Sequence, residues 1–162
     1  MSKPTKYYSS LQERTIAEYF GWKTVAASGA RPFNPGDIKS PRWLAECKTH
    51  TDEVERVVIS KLVWQKLTNE ARSVRKLPIL FIDNGTQKIE NTWAVLPAKC
   101  IEGKGFETVD GLFRISDRQI TFRHNDMKNL FKQKRASAAL FINSDTLYLM
   151  RAVDIQEIVG DV

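Results

Sequence analysis

Apolar positions in this chain recur with two periods, and the period tells helix from strand. Between Leu11 and Phe20 they fall three and four apart, Ile16, Ala17 and Phe20 making one face, and Gly21 stands where helices commonly end. A helix is predicted there. The residues before it, with Lys3, Pro4 and Lys6 and no apolar period, read as a loose arm. Trp22 to Ala27 reads as a strand. From Arg42 to Thr49 the alternation is clear: Trp43, Ala45 and Cys47 point one way, Leu44, Glu46 and Lys48 the other. Asp37-Ile38-Lys39 follows a Pro-Gly turn and is predicted to pair with that strand as a hairpin. Arg56 to Ile59 is a short β-rich run. Ser60 then caps a long helix, Lys61 to Lys76, with Val63, Leu67, Ala71 and Val74 on one face. Pro78 stops that helix. Pro78 to Asp83 reads as a buried strand, Asn84-Gly85 as a turn, and Asn91 to Pro97 as a further strand.

The last third reads as an elaboration. Arg118 to Arg123 alternates as a strand, Asp126 to Lys134 forms a short basic helix, and Ala138 to Asn143 with Thr146 to Arg151 make a hairpin around Ser144-Asp145. A final helical turn is expected over Asp154 to Val159. The order of helix, three strands, helix and two strands predicts an α/β fold with a mixed sheet flanked by helices. With 162 residues, one domain is expected: a core over 1–100 and an α+β extension over 101–162.

Composition changes this picture little. Hydrophobic content of 42% and charged content of 27% are those of a globular chain and set disorder aside. The net charge of +6 points to a polyanionic partner, nucleic acid or an acidic surface. Two cysteines, Cys47 and Cys100, without paired metal-ligand spacing indicate neither a disulfide framework nor a zinc site, and suit a reducing, cytoplasmic compartment. No apolar run reaches membrane-spanning length, and no signal peptide is expected before the first helix, so no membrane partner is expected.

The candidate chemistry gathers between Ser28 and Thr49. Asp37 and Glu46 are brought to one edge of the sheet by the hairpin, and Lys48 emerges on the same side as Glu46. Two close carboxylates repel, and a hard divalent cation relieves that repulsion. A lysine beside them can orient water or offset charge on a phosphate. Glu13 shares the buried stripe of the first helix. It is either an active-site carboxylate or the partner of Ser10 in a capping box, Ser10-x-x-Glu13, with Glu18 in reserve. The loop Ser28 to Gly36 suits close approach of a nucleic-acid backbone, with Ser28 and Arg31 as phosphate contacts or as an ordinary turn. Lys39 and Arg42, which flank the hairpin, are further candidate DNA contacts. Lys128, Lys132, Lys134 and Arg135 form either a second phosphate-binding patch or a solvated helix end.

Together these parts resemble the PD-(D/E)XK nuclease superfamily, and within it the archaeal and phage-type Holliday junction resolvases. The resemblance rests on Glu13-Arg14 in the first helix, the glycine closing it, Ser28-Gly29-Ala30, Gly36-Asp37, and Trp43-Leu44-Ala45 leading into Glu46-Cys47-Lys48-Thr49. It covers roughly the first 100 residues. It implies a restriction-endonuclease-like sheet. It also implies Mg2+, replaceable by Mn2+, held by Asp37, Glu46 and the Cys47 backbone carbonyl, with Lys48 near the attacking water, Glu13 as the first-helix acid and Ser28 shaping the site. The implied protein is a homodimer that cuts two strands of a four-way DNA junction in recombination and repair, in the cytoplasm of a bacterial, archaeal or phage-infected cell. The sequence departs from the pattern in the extra residues Arg31 to Pro35 and in its long C-terminal extension. Two other readings stay open: a restriction-type endonuclease or exonuclease, and a DNA-binding module that cuts nothing.

Overall fold

The computed structural model describes residues 3–25, 36–132 and 135–160. In chain order the elements are α1 (Thr5–Phe20), β1 (Lys23–Thr24), β2 (Ile38–Lys39), β3 (Trp43–Lys48), β4 (Arg56–Ser60), α2 (Lys61–Ser73), β5 (Leu77–Asp83), β6 (Thr92–Pro97), β7 (Glu107–Thr108), β8 (Arg114–Ile115), β9 (Gln119–Arg123), α3 (His124–Leu130), β10 (Ala136–Ile142), β11 (Asp145–Arg151) and α4 (Gln156–Val159). Eight strands form one mixed sheet in the order β1-β2-β3-β5-β6-β11-β10-β7, and β4-β9-β8 form a smaller one. β2 and β3 pair antiparallel, Ile38 against Ala45 and Lys39 against Leu44. β3 and β5 run parallel, Trp43 opposite Leu77 and Lys48 opposite Ile82, so the crossover between them carries β4 and α2.

Strand alternation sorts the main sheet into two cores. Trp43, Ala45, Cys47, Ile79, Phe81, Ala94 and Leu96 face α1 and the C-terminal turns, where Ile16, Ala17, Ile155 and Val159 meet them. Leu44, Leu80, Ile82, Trp93, Val95 and Leu149 face α2, α3 and the small sheet, packing on Trp64, Leu67, Phe122 and Phe131. β5 is buried on both faces, as its unbroken apolar run requires. The C-terminal third is built into both cores: β10 and β11 widen the main sheet, while β9 and α3 cover one face of it. Among the described residues no helix is long and apolar enough to cross a membrane.

Several expected boundaries shift. The expected loose arm is helical from Thr5, with Pro4 as N-cap, because Pro is tolerated where no amide needs a partner. Ser10 therefore lies inside α1 and no capping box forms. α2 ends at Ser73 rather than Lys76. It buries Trp64, Leu67 and Ala71, while Val74 lies past the helix end and is exposed. Ser60 caps this helix as expected, accepting from the Val63 amide at 3.2 Å. The basic helix begins at His124, two residues early.

Trp93 anchors the α2-side core. Its ring meets Phe122 and Phe131 edge-on at 5.3 and 5.2 Å. Its Nε1 donates to His124 Nδ1 at 3.0 Å, which requires that nitrogen to be unprotonated, and burial lowers the His124 pKa in the same sense. Trp93→Ala is expected to cost about 3–5 kcal/mol, read as a lower denaturant midpoint in urea.

Candidate functional site

The hairpin delivers Asp37 to β3. The Asp37 amide donates to Ala45 O at 2.8 Å, and its Oδ2 accepts from the Cys47 amide at 2.8 Å. The turn that makes this possible needs glycine. Gly36 has φ +78°, and a Cβ there would lie 2.6 Å from Leu44 Cδ1 and 3.2 Å from Ala45 O. On β3 itself, Glu46 and Lys48 share the parity of Leu44, on the α2 side of the sheet. Lys48 Nζ lies 3.4 Å from Glu46 Oε1.

α1 closes the group from the edge. Glu13 hydrogen-bonds the Asp37 carboxyl, and its pKa is raised to about 7. Burial is the largest cause, followed by the Asp37 charge, that hydrogen bond and Glu46, with Lys48 opposing. Glu46 is raised for the same reason, burial first and then Asp37, while Lys48 pulls it back. The buried Cys47 thiol is pushed well up by desolvation and then by Asp37, Glu13, Glu46 and Asp83. Glu13, Asp37, Glu46 and Lys48 thus form one electrostatic unit at the end of β3, in which negative charge exceeds positive. Among the described residues no three His, Cys, Asp or Glu side chains are arranged as a ready metal cage.

Two further polar residues brace this end. Gln12, buried beside Glu13, donates from Nε2 to Lys48 O at 2.6 Å, tying α1 to β3. Asp83 ends β5 fully buried. Its Oδ1 accepts from the Thr49 hydroxyl and from the Gly85 amide at 2.8 Å. Gln87 Nε2 donates to Thr49 Oγ1 and to His50 O, both at 2.9 Å. Gln12 carried a signal in the sequence: a polar residue four positions before Ile16 on the buried stripe. Asp83 carried little, since a carboxylate ending an apolar run is common at strand ends.

The proposed nucleic-acid contacts fare unevenly. Lys39 and Arg42 are exposed beside the hairpin, and Lys132 is exposed after α3. Glu18 is exposed, away from the cluster that Glu13 joins. Arg135 is engaged within the protein: it pairs with Glu157 at 2.8 Å, donates to Lys104 O and lies over the Phe106 ring at 4.6 Å. Lys128 donates to Asn91 Oδ1 at 2.8 Å. Ser28, Arg31 and Lys134 lie outside the described residues. No family model, curated protein or solved structure gives a significant match to this chain.

The raised Glu13 pKa has a measurable consequence. The unfolded carboxyl titrates near 4.5 and the folded one near 7, so folding takes up a proton between those values. This group's penalty is full above pH 7 and fades as pH falls towards 4.5. Glu13→Gln is expected to stabilise the fold at pH 8 by on the order of 1 kcal/mol, roughly 2–4 °C in Tm, and much less at pH 5. Thermal melts at both pH values check it.

Proposed function

We propose that this chain is a metal-dependent structure-specific endodeoxyribonuclease of the PD-(D/E)XK type, resolving four-way DNA junctions as a homodimer. The observation that carries the reading is the delivery of Asp37, Glu46 and Lys48 to one end of β3, with Glu13 closing from α1. The order of helix, hairpin-paired strands, crossover helix and parallel strand supports a restriction-endonuclease-like core. The basic charge suits a polyanionic substrate.

The donor set fits a hard cation. Burial, and after it the negative charge of Asp37, holds the Glu13 and Glu46 carboxyls above their ordinary range, and Mg2+ or Mn2+ would relieve the repulsion part of that rise. Asp37, Glu46 and the Cys47 carbonyl would hold the ion. Two carboxylates and a carbonyl would be an all-oxygen donor set of the kind Mg2+ takes. When bound, the metal supplies Lewis-acid stabilisation of a phosphate and acidifies water. The chain's own groups do the rest. Lys48, half-exposed beside Glu46, offsets charge building on the phosphate oxygens. Glu13 stores a proton near neutral pH and can exchange it with solvent-borne groups in the site. The Cys47 amide holds the Asp37 carboxylate in place, and Gln12 holds the end of β3 against α1.

Two measurements test the reading. A synthetic four-way junction, a linear duplex and a single strand are each incubated with Mg2+, with Mn2+ and with a chelator. Paired, symmetric nicks confined to the junction and lost on chelation are expected. Cleavage at one duplex sequence or digestion from ends would instead indicate a restriction-type or exonucleolytic enzyme, and tight binding without cutting a non-catalytic module. Asp37→Asn is expected to abolish cutting while junction affinity stays within about threefold. Independently of activity, Mg2+ is expected to raise Tm more at pH 8 than at pH 6, because protons compete for the carboxylates, and Asp37→Asn is expected to remove that shift.

A further inference from the structure

A charged concavity lies at the other end of the same strands. It is a cleft of about 710 Å³ between the C-terminal half of α2, the start of β5 and the β10–β11 turn. Leu77, Pro97 and Leu147 give it an apolar floor, and Arg72, Arg75, Lys76 and Lys99 line it. Two carboxylates, Glu102 and Asp145, also line it, and Asp145 accepts a hydrogen bond from Trp64 Nε1 at 3.1 Å. Lys76 is spent on Ser40 O. Arg72, Arg75 and Lys99 are exposed and make no ion pair with another described residue. Three cations with no ion pair among the described residues therefore line the cleft from two segments distant in sequence.

Arg75 carries a second signal. It follows the end of α2 with φ +58°, the left-handed conformation that glycine or asparagine adopts most readily after a helix. An arginine here is locally unfavourable, and strain of this kind points to use of the side chain.

Placement links the cleft to the candidate site. Leu77 pairs with Trp43 at the start of β3, while Glu46 and Lys48 stand at its end. Five strand steps separate the two ends, roughly 16 Å, which is about half a turn of duplex DNA. Trp64 and Thr68 of α2 line the cleft, and Glu46 and Lys48 lie on the α2 side of the sheet, so both regions belong to one face.

We propose that this cleft is a second phosphodiester-binding site, in which Arg72, Arg75 and Lys99 grip the DNA backbone about half a helical turn from the phosphate held at Lys48. The inference rests on the nuclease reading for its substrate, but it concerns binding and is separable from cutting.

The test measures fluorescence anisotropy of a labelled four-way junction and a labelled 30-base-pair duplex with Ca2+ in place of Mg2+, over a salt series. The triple variant R72Q/R75N/K99Q is expected to bind both at least about tenfold more weakly, with the slope of log affinity against log salt reduced by about two to three. Asparagine at 75 tolerates the left-handed backbone, so folding is preserved, and a thermal melt confirms it. Arg75→Gly adds a readout that a purely structural residue would not give: Tm rises while DNA affinity falls. Unchanged affinity and slope in the folded triple variant overturn the proposal. So does saturable binding of ATP, lost in the triple variant, while DNA affinity is unaffected, which would make the cleft a nucleotide pocket. If the wild type binds DNA through these cations yet never cuts, the nuclease reading fails and the cleft stands. If it cuts and the variant binds normally, the cleft fails alone. A wild type that binds no DNA overturns both.

Discussion

The hydrogen bond from the Cys47 amide to the Asp37 carboxylate is the contact on which the rest of the site depends. It joins the residue just before β2 to the next-to-last residue of β3, the strand that divides both cores. β3 cannot slide: a shift of one residue would turn Trp43 and Ala45 out of one core and Leu44 out of the other. The same register that satisfies the cores therefore fixes Asp37 against the backbone one residue from Glu46. Gly36 permits the approach, since any side chain there would strike Leu44.

Burial then converts position into chemistry. Burial first, and then the charge of Asp37, raises the proton affinity of Glu13 and Glu46, and Lys48 opposes the rise. Folding has assembled an arrangement that is electrostatically unfavourable by itself. Groups with perturbed proton affinity of this kind cluster at functional sites. The bracing by Gln12 and by the Thr49–Asp83–Gln87 network keeps the strand end from relaxing to relieve the repulsion.

The C-terminal third has a structural role that its sequence position concealed. Read along the chain it is an extension; in space β10 and β11 complete the main sheet and α3 closes a core. The β10–β11 turn also forms a wall of the basic cleft at the far end of β3. The two charged regions of this face, one acidic and one basic, are thus held at a fixed separation by the length of a single buried strand.

Alternation and turn chemistry in the sequence determined β3, the hairpin to Asp37, the shared side of Glu46 and Lys48, and the cap of α2 at Ser60, because each depends on neighbours within a few residues. They did not determine the true start of α1, at Thr5 in an exposed first turn with no apolar period. Nor did they decide between Glu13 as cap partner and Glu13 as part of the site; the long-range contact with Asp37 settles its surroundings. The basic residues show the limit most plainly. Arg135 looked available and is tied to Glu157, whereas Arg72, Arg75 and Lys99 looked unrelated and share a cleft. Charge is written in the sequence, but whether a charge is neutralised depends on which distant residues the fold sets beside it.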